Sequence, residues 1–124
     1  MGVEFGLTKE QPAGKPRIAV MHLAGWLDAQ SEARLVEAVQ RARDEGVTHV
    51  LLNLADVDTV TSAGIRAMQK SYQILTPKGA DPKAGFLKLC NASPRIYEVL
   101  STTGLLMQIP VYESQDIAID SFLT

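Results

Sequence analysis

In this 124-residue chain the hydroxyl pair Thr61-Ser62, followed by Ala63-Gly64, is the stretch best placed to do chemistry. Just ahead of it, His49-Val50-Leu51-Leu52-Asn53-Leu54 is too apolar to have a solvent face, which suits a strand buried on both sides. Polar residues that read as a loop come next. Beyond Gly64, the residues Ile65, Met68, Tyr72 and Leu75 fall at offsets of three, four and three, the period of a helix. A small hydroxyl residue therefore stands where a strand hands over to a helix. Unpaired backbone N–H groups and the positive end of the helix dipole meet there, a setting that holds a phosphate or another oxyanion well. The plain alternative is an N-cap, a role Ser and Thr often fill, and on local sequence alone capping outweighs chemistry by roughly three to one.

Other chemistries are poorly supplied. A nucleophilic Ser62 would need His22 or His49 as its base, yet no G-x-S-x-G elbow is present and both histidines fall in, or at the start of, expected strands. The chain is read as non-enzymatic. Gly25 and Gly64 belong to neither a P-loop nor a G-x-G-x-x-G, so nucleotide binding is weak at most. His22 has no second metal-type ligand in sequence reach, and no metal or cofactor is expected. Cys90, the single cysteine, has no partner for an internal disulfide and reads as a buried strand residue.

Composition narrows the partners. A net charge of −2 and a pI near 5.6 leave no basic excess for a nucleic acid. No apolar segment approaches a membrane span, and the first residues lack a secretion signal, so a cytoplasmic setting is expected. The length suits one domain over residues 1–124.

The elements that must hold the hydroxyl pair follow from periodicity and turn residues. Strands are expected at 3–8 and 17–24, joined by a loop containing Pro12, Gly14 and Pro16. Gly25-Trp26-Leu27-Asp28 ends the second strand and opens a helix, with Asp28 as cap or first-turn acid and Glu32 adding charge at its start. That helix runs to about Glu45, presents Leu35, Val36, Val39 and Ala42 on one face, and stops at Gly46. Residues 76–85 read as a loop and 86–90 as a strand. Ser93-Pro94 starts a helix in good form, a short strand spans 108–112, and a last helix runs over 114–123 with Ser114 as cap. The order β-β-α-β-α-β-α-β-α predicts an α/β mixed sheet of about five strands with about four helices and an antiparallel edge. Trp26 has two readings, an interface anchor or a ring folded back onto the first helix.

Three patterns then resemble the STAS domain of the anti-sigma factor antagonist, or anti-anti-sigma, family. Gly25-Trp26-Leu27-Asp28 is similar to that family's G-x-L-D. Leu52-Asn53-Leu54-Ala55-Asp56-Val57, followed by Thr61-Ser62-Ala63-Gly64-Ile65, is similar to its strand and its D-S-S-G-L or S-S-A-G-L helix start. Ala92-Ser93-Pro94 through Ser101-Thr102-Thr103-Gly104-Leu105 is similar to its S-P…S-G-L segment. The resemblance covers nearly the whole chain. It implies a small regulator of transcription that binds an ATPase-like anti-sigma factor kinase, is released when that kinase phosphorylates the helix start, and is restored by a serine phosphatase. In D-S-S-G members the acceptor immediately precedes Gly, where this chain has Ala63. Ser62 is the acceptor by analogy with the S-S-A-G variant, and Thr61 is the fallback. The implied partner surface comprises Trp26, Asp28, Asp56, Asp58, Thr61, Ser62, Ala63, Gly64 and Arg66, with Arg66 placed to pair with a phosphate on Ser62. The alternative is an unswitched STAS scaffold, an adaptor of a transport ATPase or of a signalling complex.

Overall fold

The two apolar runs without a solvent face become the middle of a sheet. In the computed structural model, which describes residues 5–81 and 84–123, the strands are β1 (Gly6–Glu10), β2 (Ile18–Leu27), β3 (His49–Val60), β4 (Leu87–Cys90) and β5 (Val111–Tyr112). They lie side by side in chain order, with β1 antiparallel to β2 and every later pair parallel. The helices α1 (Glu32–Asp44), α2 (Ser62–Leu75), α3 (Pro94–Thr102) and α4 (Gln115–Leu123) provide the crossovers and the last layer. This is the α/β order expected from the sequence.

Alternation along the central strands feeds two cores. Met21, Leu23, Leu52, Leu54 and Leu89 face the larger one, where Leu35, Val39, Met68, Ile96 and Leu100 of α1, α2 and α3 pack on them. Val20, Leu51 and Cys90 point the other way, beneath Ala118, Ile119 and Phe122 of α4. Cys90 is the buried strand residue expected, and burial pushes its thiol up to about 12. The starts of α3 and α4 follow their capping residues: Ser93 Oγ accepts from Ile96 N at 3.3 Å, and Ser114 Oγ accepts from Ile117 N at 3.2 Å.

The boundaries nearest the hydroxyl pair differ from expectation. The polar residues after Leu54 form no loop, because β3 continues to Val60, burying Val57 and Val60 while Asp56 and Asp58 face solvent. That extension gives β2 a partner beyond Ala24, so Trp26 lies opposite Thr59 and Leu27 opposite Val60. Register shifts on either side of Ala24-Gly25 allow it, with Gly25 at φ 84°, a conformation that side chains disfavour. Consequently α1 begins at Glu32, and Asp28 caps a turn ahead of the helix: its Oδ1 accepts from Gln30 N at 3.0 Å and Ser31 N at 3.2 Å. Further on, residues 105–107 form a 3-10 turn, so the last strand shortens to Val111–Tyr112. Of the expected first strand, residues 3 and 4 lie outside the described residues.

Two contacts fix α2. The Leu27 carbonyl accepts Thr61 N–H at 3.0 Å, and a Cβ on Gly64 would stand 2.3 Å from that oxygen. Across the helices, the Glu32 carboxylate on α1 receives Arg66 through Nε at 2.9 Å and Nη2 at 3.0 Å, and Lys70 through Nζ at 2.8 Å. Hydrogen bonds from Arg66 and then Lys70 hold that carboxyl well down, from the ordinary 4.5 to about 2.

Each contact makes a prediction. Alanine in a helix normally gains about 0.5–1 kcal/mol over glycine, but displacing a backbone oxygen from a 2.3 Å clash costs about 1–3 kcal/mol. Gly64→Ala is therefore expected to lower the urea midpoint, and an unchanged or raised midpoint would contradict the close approach. For Glu32, the folded carboxyl titrates below the unfolded one, so the native state binds fewer protons. Its stabilising contribution is complete above about pH 4.5 and lost as pH falls toward 2. The wild-type midpoint advantage over Glu32→Gln should shrink across that window; an advantage constant from neutral pH to pH 3 would contradict the clamp.

Candidate functional site

Where α2 starts beside the end of β2, the surface is hollowed into an open depression of about 1080 Å³. Trp26 and Asp28 line it from the β2 end, Ser31 and Arg34 from the start of α1, and Thr61, Ser62, Ala63 and Arg66 from α2. Thr61 occupies the N-cap position with extended backbone, but its side chain makes no capping hydrogen bond; Oγ1 instead points to the Leu27 carbonyl at 3.5 Å. Ser62 is the first helical residue and is exposed, while Ala63 and Gly64 are buried. The Thr61 side chain therefore does not cap the helix, and among the described residues the exposed Ser62 stands beside first-turn amides without a side-chain cap.

The acidic and aromatic residues around this mouth are mutually engaged. Asp58 Oδ2 accepts from Trp26 Nε1 and from Thr59 Oγ1, each at 2.9 Å. Arg95, at the start of α3, donates to the Asp58 carbonyl and stands 3.5 Å from Oδ1. Trp26 is 40% exposed, and its indole N–H is held by Asp58 of β3, so the ring is tied to the sheet edge. Ser31 Oγ donates to the Trp26 carbonyl at 2.9 Å and accepts from Asp28 N at 2.8 Å, so the turn before α1 and the Trp26 backbone are joined.

Of the nine residues expected at the partner surface, Trp26, Asp28, Thr61, Ser62, Ala63 and Arg66 share the depression. Asp58 adjoins it through Trp26, and Gly64 lies beneath, against β2. Asp56 is exposed on β3 and lines no part of the depression. Arg66 is present but not free, being bidentate to Glu32. Sequence reasoning missed Ser31, Arg34 and Arg95. The Asp28-x-x-Ser31 spacing carried a turn signal that could have found the first. Arg34, which donates to the Phe5 carbonyl at 2.9 Å, and Arg95 have no local signature.

Neither histidine serves Ser62. His22 Nε2 is 3.1 Å from Glu10 Oε1, and His49 packs between Phe86 and Phe122, with centroid separations of 5.0 and 5.2 Å, on the α4 side of the sheet. Burial, and then the charge of Lys88, hold the His49 imidazole below its ordinary pKa. The depression therefore offers a hydroxyl, a helix dipole and an aromatic rim, and neither histidine is among the residues that line it.

A family profile described as the STAS domain matches residues 11–118. The chain is 34% identical over 95 residues to BtrV of Bordetella bronchiseptica, a candidate anti-sigma factor antagonist, covering 77% of this chain and 74% of that protein. It is 24% identical over 102 residues to the anti-sigma F factor antagonist of Paenibacillus polymyxa, covering 79% and 80%. Among solved structures, an anti-sigma factor antagonist from Mycobacterium paratuberculosis shares the fold with a TM-score of 0.80 at 17% identity, covering 98% of this chain and 96% of that one. The antagonist SpoIIAA of Bacillus, at 21% identity, shares it with TM-scores of 0.73 in its unphosphorylated form and 0.66 in its phosphorylated form. These alignments cover 94% of this chain in both cases, and 95% and 98% of the respective SpoIIAA chains. With the order of elements and the glycine-dependent helix start already in place, these matches establish that the chain belongs to the STAS domain family, in its anti-sigma factor antagonist group.

Proposed function

We propose that this protein regulates transcription in the cytoplasm by binding an ATPase-like anti-sigma kinase through the start of α2, and that phosphorylation of Ser62 releases it. The observation that carries the reading is the exposed Ser62 at the first helical position, beside amides that Thr61 does not cap and lining one depression with the half-exposed Trp26. The bound kinase transfers the γ-phosphoryl of ATP to Ser62 Oγ, the hydroxyl proton passes to a base of the kinase or to solvent, and ADP leaves. A serine phosphatase returns the hydroxyl by hydrolysis. That a relative is known in both unphosphorylated and phosphorylated forms supports such a cycle here.

The physical reason for release is local. A phosphate carries a charge of about −1.5 to −2 and three acceptor oxygens, and the first-turn amides receive it without rearranging the fold. A partner packed over Trp26 and a neutral hydroxyl would then have to strip the remaining water from that charge and make room for three oxygens, at a cost of about 3–5 kcal/mol. A loss of that size turns a micromolar complex into a millimolar one.

Incubation with the anti-sigma kinase and ATP, followed by intact-mass measurement, is expected to add one phosphate to the wild type and none to Ser62→Ala. A phosphate that persists in Ser62→Ala but disappears in Thr61→Ala would move the acceptor to Thr61. No added mass with a kinase demonstrated to bind would overturn the switch and leave an unswitched scaffold.

A further inference from the structure

The cluster of Arg66, Glu32 and Lys70 deepens this reading. Resting on phosphorylation of Ser62, we propose that the phosphate draws Arg66 away from Glu32, forming a phosphate–guanidinium pair within α2 and leaving Glu32 to Lys70. Ser62 and Arg66 are one helical turn apart, so their side chains project from neighbouring points of the same face, and both line the depression. The Arg66 side chain is 54% exposed and able to swing, whereas Glu32 is fixed on α1 with only 14% of its side chain exposed.

Competition for the guanidinium favours the phosphate. Its higher charge and three oxygens outmatch one carboxylate, and the planar fork of Arg fits either acceptor in bidentate fashion. Uncapped amides of the first turn bind the remaining oxygens. What usually prevents such an exchange is the orphaned carboxylate left behind. Here Lys70 Nζ already lies 2.8 Å from Glu32 Oε2, so that cost is small. Of the other charged groups of the depression, Asp28 accepts from the amides of Gln30 and Ser31, and Arg34 donates through Nη1 to the Phe5 carbonyl and lies over the Phe5 ring. In the resting protein Glu32 thus keeps Arg66 turned toward α1 and off the Ser62 hydroxyl. After modification the bidentate tie between α1 and α2 is reduced to Lys70 alone.

The test uses the full chain with phosphoserine installed at position 62 during translation, and follows the ³¹P resonance through a pH titration. A free phosphoserine titrates at about 6; pairing with Arg66 is expected to lower that midpoint, and Arg66→Gln to raise it by about one unit. Glu32→Gln, which removes the competitor, should lower it further, and at neutral pH the Arg66 Nε–H resonance should shift on phosphorylation. Arg66→Lys, which retains the charge and loses the fork, should fall between wild type and Arg66→Gln. A midpoint identical in wild type and Arg66→Gln, with both proteins folded by their amide spectra, would overturn the exchange. No kinase enters this experiment, so its failure leaves the proposed switch standing, and a kinase that adds no phosphate leaves the exchange testable.

Discussion

The mouth of α2 depends on one backbone carbonyl. Leu27 O accepts the Thr61 amide and passes so close to Gly64 that no other side chain fits without displacement. That contact exists because β2 and β3 run parallel to their ends, with Leu27 opposite Val60. Once the helix is seated there, Ala63 and Ile65 turn into the protein and Ser62 turns out of it. Trp26, one residue before Leu27, is delivered to the same edge. One strand register therefore sets both the hydroxyl and the aromatic ring beside it.

Electrostatics around this edge are largely satisfied from within. Asp58 is shared by Trp26, Thr59 and Arg95, Asp28 is spent on the turn before α1, and Glu32 gathers Arg66 and Lys70. Surface pairs of this kind contribute little stability one by one. Their effect is to tie elements together at this edge, the Asp58 contacts joining β2, β3 and α3 and the Glu32 contacts joining α1 and α2. The opposite side of the sheet is built from a different set, with Lys88 held by Ser121 and by the rings of Tyr112 and Phe122 under α4.

Much of this was legible in the sequence. The apolar run from His49, the helical period after Gly64, the Ser93-Pro94 helix start and the Ser114 cap are local signals, and each produced the element it predicted. The resemblance in Gly25-Trp26-Leu27-Asp28 and in Thr61-Ser62-Ala63-Gly64 is explained by Gly25 at a positive φ beside a register shift and Gly64 against a carbonyl. What escaped was whatever depends on partners far away in the chain. The stretch from Ala55 to Val60 looks like a loop because its polar residues face solvent, and only pairing with β2 makes it a strand. The ties of Glu32 to Arg66 and Lys70 span 34 and 38 residues and leave no local pattern. Local sequence allows either Thr61 or Ser62 at the capping position, and geometry alone assigns that position to Thr61 and the exposed first helical position to Ser62.

The central claim is that charge at the first residue of α2 decides whether a protein partner stays bound. Calorimetric titration of the anti-sigma kinase into the unmodified chain, and into the same chain carrying phosphoserine at position 62, tests it most directly. The account predicts a complex with the unmodified protein and at least a roughly hundredfold weaker one with the phosphorylated form. Equal affinity for the two forms would contradict it.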